Sequence, residues 1–108
     1  MIAPDVRQRL NAAHAVGDYQ PLLALIPYAG LIGITCQRQG DDLLFCLPAS
    51  ADNIGNPLLP AIHGGVIAGF MELSAALYLL IYSESASIPK IIDFSIDYLR
   101  AGLYRDTY

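Results

Sequence analysis

The sequence predicts an α+β domain in which one long apolar helix lies on an antiparallel sheet. Between residues 66 and 82 the only groups that are not mainly apolar are Gly69, Glu72 and Ser74. A helix that is apolar all round is expected to be surrounded by protein. Such a helix needs a sheet to lie on. Residues 31–37, 43–47 and 90–99 supply strand-like stretches on both sides of it.

The elements follow in order. Residues 4–15 read as a helix, with Pro4 and Asp5 at its start and Val6, Leu10 and Ala13 on one face. Gly17 and Asp18 stop it. Residues 21–26 add a short helical turn, ended by Pro27. Residues 1–27 are thus expected to form a helical cap on a single domain spanning 1–108. Residues 31–37 and 43–47 are two strands joined by Gln39-Gly40-Asp41-Asp42, a stretch suited to a tight hairpin. That turn puts Cys36 opposite Cys46 or one residue out of step. Residues 48–55 are polar and irregular. The helix over residues 65–82 follows, then a serine-rich loop at 83–89. Residues 90–99 alternate, with Ile92, Phe94, Ile96 and Tyr98 on one face and Asp93, Ser95 and Asp97 on the other. Ala101-Gly102 breaks this third strand, and residues 103–108 begin another extended segment, so the sheet is thin.

Composition narrows the function classes. The 108 residues are enough for one core. They are 55% hydrophobic and only 15% charged, which gives more apolar surface than one chain hides and argues for a homo-oligomer. A formal charge of −4 and no basic patch argue against a nucleic-acid partner. Two cysteines without a leader-like N-terminus point to reduced thiols in a cytoplasm. Residues 61–82 are long enough to span a bilayer. Glu72 near their centre, and no Lys or Arg between Arg38 and Lys90, speak against a membrane. No metal-ligand spacing, phosphate loop or dinucleotide fingerprint is present, so no cofactor is expected.

The stretch NPLLPAIHGGVIAGFME, residues 56–72, carries the functional signal. Asn56, His63-Gly64-Gly65 and Glu72 nine residues after the histidine, followed by IIDFSIDYLRAG, together resemble the hotdog-fold acyl-CoA thioesterases of the PaaI-like (phenylacetate-pathway) type. The resemblance runs from about Leu31 to Leu103. It implies an antiparallel sheet wrapped round the central helix, and homodimers or homotetramers with active sites shared between subunits. That fold normally continues for several more strands, so the sheet is expected to be incomplete after residue 108, in a truncated domain or one completed by another chain. The acid of that family is most often Asp, and Glu72 reaches one methylene further.

Thioester hydrolysis needs an activated water and a place for the developing oxyanion. A helix N-terminus offers unpaired N–H groups and partial positive charge, and at Gly65 a carbonyl can approach closely. Glu72 is the candidate base or nucleophile. His63 either orients the loop or polarises the carbonyl, and Asn56 positions the water. Nine helical residues separate His63 and Glu72 by about 13 Å, which favours a shared site. Gly64, Ser74, Lys90 and Arg100 are candidate substrate contacts, with Lys90, Arg100 and Arg105 the cations for the phosphates of coenzyme A, which is part of the substrate.

Each candidate has a plainer role. Glu72 can bond Tyr78, Tyr82 or backbone; His63 can cap the loop; Asn56 can be a turn residue before Pro57. Ser74 can be a small packing residue and the cations solvated charges. Two other functions remain: a non-catalytic acyl-binding or interaction module, and a hotdog dehydratase. The latter ranks lower, because residues 53–58 hold no histidine.

Overall fold

Helix α1, Pro4–Val16, begins the chain as its composition dictates. It buries Val6, Leu10 and Ala13 and ends where the Gly17 amide bonds the Ala13 carbonyl at 2.8 Å. The computed structural model describes residues 4–56, 58–83 and 88–108, the side chains of Pro4 and Asn56 excepted. A 3₁₀ turn, Gln20–Leu25, follows and buries Leu22 and Leu23.

Helix α2, Pro27–Ile32, stands where the sequence predicts the first strand to begin. Pro27 opens this helix instead of only closing the turn before it; a proline fits the first helical position because that amide is unpaired anyway. Gly33 closes it in the left-handed conformation. The first strand is therefore shorter and later, β1 being Thr35–Gln39.

β1 pairs antiparallel with β2, Asp42–Cys46, through a two-residue turn at Gly40-Asp41. Gly40 has φ 62°, which a two-residue hairpin turn demands. In this register Cys36 faces Phe45 and Cys46 faces Thr35. The cysteines are one step apart, hence on opposite faces of the ribbon, and both are free thiols.

A short 3₁₀ turn, Ala51–Asn53, leads into β3, Ile54–Asn56, which pairs antiparallel with β4, Ala61–Ile62, across an irregular register. Helix α3, Gly64–Tyr82, follows directly.

Residues 90–99 form no strand, against expectation, and bend at Ile92. Their backbone has no neighbouring strand among the described residues, and Ile92 and Leu99 stand almost fully exposed. Alternation alone does not make a strand; the backbone groups need a partner. The following segment does find partners in this chain: Leu103 bridges Ala61, and Thr107 bridges Leu47. The end of the chain thus ties the β3–β4 pair to the end of β2.

The core lies between α1, α2, the hairpin and one face of α3. From α3 it takes Phe70, Leu77, Leu80 and Ile81, packed with Ile32, Ile34, Leu47 and Ile62 among others. Gly69 lets the Tyr28 ring lie against the helix: a Cβ there would stand 2.8 Å from a ring carbon. The opposite face of α3 is open, with Met71, Tyr78, Leu79 and Tyr82 each about half exposed. The expectation of a helix enclosed on every side is therefore not met within one chain. By length and composition α3 could also cross a membrane, a test that core helices pass as well. Small antiparallel sheets, flanking helices and one long helix make a mixed α+β arrangement consistent with a hotdog fold whose sheet is incomplete.

Candidate active site

The site begins with the loop that delivers His63. Asn53, buried at 6% exposure, anchors it twice. Its side-chain Nδ2 donates to the Ile32 carbonyl at 2.9 Å, and its own carbonyl accepts the His63 amide at 2.7 Å. A buried amide must be paired in this way to be tolerated. The start of α3 is thereby fixed to the end of α2.

His63 is the N-cap of α3. Its carbonyl accepts the amides of Val66 and Ile67 at 3.0 and 3.2 Å, and its side-chain Nδ1 accepts the Gly65 amide at 2.9 Å. The Gly65 N–H, expected to be an unpaired donor, is therefore engaged by His63 in this structure. An accepting Nδ1 is unprotonated, so the proton of the neutral ring sits on Nε2. A Cβ on Gly65 would stand 3.0 Å from His63 Cε1 and Nδ1, which explains why the smallest residue occupies that place.

Gly64 is tied from the other side. Its carbonyl accepts the Tyr98 hydroxyl at 2.7 Å, and the Tyr98 ring covers it so closely that a Cβ would meet Cε1 at 3.2 Å. Tyr98 is the residue that sequence reasoning missed, having been read only as one apolar position of a strand. Asn53 was missed too; an asparagine in a polar loop carries no mark of burial.

Glu72 lies on α3, half-buried, with no hydrogen bond or ion pair among the described residues. Neither tyrosine that would make it a structural acid bonds it. Tyr82 donates to the Asp41 carbonyl at 3.3 Å, and Tyr78 packs its ring on Tyr82 with centroids 4.6 Å apart. Seven residues are about two helical turns, so Glu72 shares a flank of α3 with Gly65, roughly 10 Å further along the axis. One chain thus presents both groups on the same flank without bringing them together.

Ser74 lies about 160° around the helix from Glu72, from two steps of 100°, and its Oγ is buried without a partner among the described residues. Lys90 and Arg100 are exposed and form no ion pair among the described residues. Arg100 and Arg105 line an open cleft of about 650 Å³ between the segment 96–108 and Ile67 and Met71 of α3; His63, Gly65 and Glu72 do not line it. Asn56 ends β3 opposite Ala61, but its side chain lies outside the described residues. Among the described residues no three His, Cys, Asp or Glu side chains are grouped as a metal set would be.

The arrangement offers a helix N-terminus with a glycine amide donor, an imidazole with its Nε2–H free to donate, and an unpaired carboxylate. Those are the parts of acyl-transfer chemistry with an oxyanion intermediate. Residues 59–108 match the family model of the Thioesterase superfamily. His63, Gly64, Gly65, Glu72 and Tyr98 all fall in the matched segment, whereas Asn56, α1, α2 and the hairpin precede it. No curated protein and no solved structure matches the chain.

Proposed function

We propose that the chain is the core of an acyl-CoA thioesterase of the PaaI-like type. The observation that carries the reading is the His63-Gly64-Gly65 turn at the start of a helix that also holds an unpaired, half-buried Glu72, all within the segment matched by the thioesterase family.

In this reading the Gly65 amide receives the thioester carbonyl oxygen. His63 Nδ1 holds that position at rest, so the ring swings aside as the substrate enters. Glu72 takes a proton from water, and the resulting hydroxide attacks the carbonyl carbon. The tetrahedral oxyanion rests on the Gly65 N–H and the partial positive charge of α3. Its collapse breaks the C–S bond, and the departing thiolate takes the proton from Glu72, leaving a carboxylic acid and free coenzyme A. Direct attack by the Glu72 carboxylate, followed by hydrolysis of the anhydride, uses the same groups. Because Gly65 and Glu72 of one chain stand two turns apart, the working site pairs Gly65 of one subunit with the Glu72 of a second copy. The open apolar face of α3 is the surface on which that copy rests.

The test is release of free thiol from a panel of acyl-CoAs. The wild type is expected to turn over, and Glu72→Gln, which keeps the volume and removes the base, is expected to lose a factor of about 10² to 10⁴. A folded Glu72→Gln protein working at the wild-type rate would make Glu72 structural, and a non-catalytic acyl-binding module would take its place.

A further inference from the structure

The Gly64 carbonyl and the Gly65 N–H are the two ends of one peptide group. A peptide is planar and delocalised, so a hydrogen bond at its oxygen both fixes the direction of its N–H and makes that N–H a stronger donor. The Tyr98 hydroxyl donates to this oxygen at 2.7 Å, while the N–H at the other end meets His63 Nδ1 at 2.9 Å. In an α-helix the Gly64 oxygen also accepts the amide four residues on, so the tyrosine takes its second lone pair. Phenol, peptide and imidazole are thus joined in series across the helix start.

The segment that carries Tyr98 has no strand neighbour among the described residues. Among the described residues its hydrogen bonds to the rest of the chain are the one from the Tyr98 hydroxyl and, just past its end, the Gly102 carbonyl accepting the Ile62 amide at 2.8 Å. A tyrosine half exposed at 55% has no need of this bond for its own solvation. We infer that Tyr98 is a positioning residue for the oxyanion donor: through the Gly64 oxygen it aims and polarises the Gly65 N–H. The inference rests on the thioesterase reading, in which the substrate oxygen replaces His63 Nδ1 on that N–H.

Tyr98→Phe keeps the ring over Gly64 and removes only the donor. Two readouts are taken on the full chain: steady-state thiol release, and the backbone amide nitrogen shift of Gly65 by NMR. The expected result is a kcat lower by about five- to tenfold, the worth of one ordinary hydrogen bond. That is well short of the 10²–10³ lost with an oxyanion donor itself. KM should change by less than about twofold, since the bond acts mainly as charge develops. The Gly65 nitrogen should move upfield as its peptide loses polarisation. In a Gly65→Ala background, where the approach to that N–H is already blocked, Tyr98→Phe should add little further loss.

An unchanged Gly65 shift overturns the inference whatever the rate does, because any rate loss then comes from general loosening. A shifted Gly65 with unchanged kcat overturns the catalytic role. If the wild type hydrolyses no acyl-CoA, the thioesterase reading falls and Tyr98's role in that reaction falls with it. That failure is told apart from the others by the silent wild type.

Discussion

His63→Ala separates two things that one hydrogen bond does. The bond from the Gly65 amide to Nδ1 caps α3 and at the same time occupies the proposed oxyanion donor. The rest of the cap is main chain: the His63 amide on the Asn53 carbonyl, and the Val66 and Ile67 amides on the His63 carbonyl. Alanine leaves those bonds in place. His63 is exposed, so the freed Gly65 N–H turns to water and no buried donor is orphaned. The loss is that of one N-cap side chain, about 1 kcal/mol. For a domain of this size that lowers Tm by about 4–8 °C. His63→Asn, which replaces the imidazole with a strong N-cap residue, should recover most of it.

Activity should not follow stability. Removing the internal occupant of the Gly65 N–H should leave kcat within about tenfold of wild type, far from the loss expected for Glu72→Gln. Thermal or urea unfolding and thiol release on the same preparations check both halves. A kcat loss of 10² or more in both His63→Ala and His63→Asn, with the asparagine variant as stable as wild type, would refute the argument. His63 would then act on the substrate through its own Nε2–H.

Other predictions follow from packing and ionisation. Leu80 is fully buried on α3 and Leu79 half exposed beside it, so Leu80→Ala should cost about 2–5 kcal/mol in urea unfolding of the monomer. Leu79→Ala should cost under about 1 kcal/mol there and weaken self-association instead, measured as mass by light scattering; an unchanged dimer would remove that face from the interface. Burial, with a lesser contribution from Asp18, pushes the Cys36 thiol up to about 11. Because the folded value lies above the unfolded one, its contribution to stability is complete at neutral pH and is lost as pH rises from about 9 to about 11. A thiol reagent at neutral pH should label Cys46 in the native protein and reach Cys36 only on unfolding; equal labelling of both would contradict the burial.

What was legible in the sequence was what local chemistry decides. The Pro4–Val16 helix, the Gly40 turn and the Gly64–Tyr82 helix all announce themselves through caps, turn residues and hydrophobic runs. Glu72 stood out because a carboxylate in an apolar helix is rare. Pro27 misled because the same residue can end one turn and open the next helix. Residues 90–99 have the alternation of a strand, but the neighbour that would make them one is a matter of tertiary structure. Tyr98 acts on Gly64, 34 positions away, and no local pattern reports that distance. The plainer reading of His63 as a cap on the loop is the one the structure bears out, since it is the N-cap of α3, a place more commonly held by Ser, Thr, Asp or Asn.

The fastening of the chain end carries a consequence for the order of assembly. Leu47 and Thr107 exchange both main-chain bonds, at 2.7 and 2.9 Å, and beside them Asp106 accepts the Ala49 amide from 57 positions away. The hairpin at Gly40 closes a loop of two residues from its own neighbourhood. The clasp at Leu47 must close one that contains all of α3. Closure entropy grows with loop length, and contacts between distant positions form only when what lies between is already compact. The topology therefore makes the clasp a late event in folding. Its opening would part residues 105–108 from the end of β2, while Tyr98 on Gly64, Gly102 on Ile62 and Tyr104 on Pro60 still hold the segment before them, so that the end of the chain can leave the hairpin without uncovering the start of the long helix.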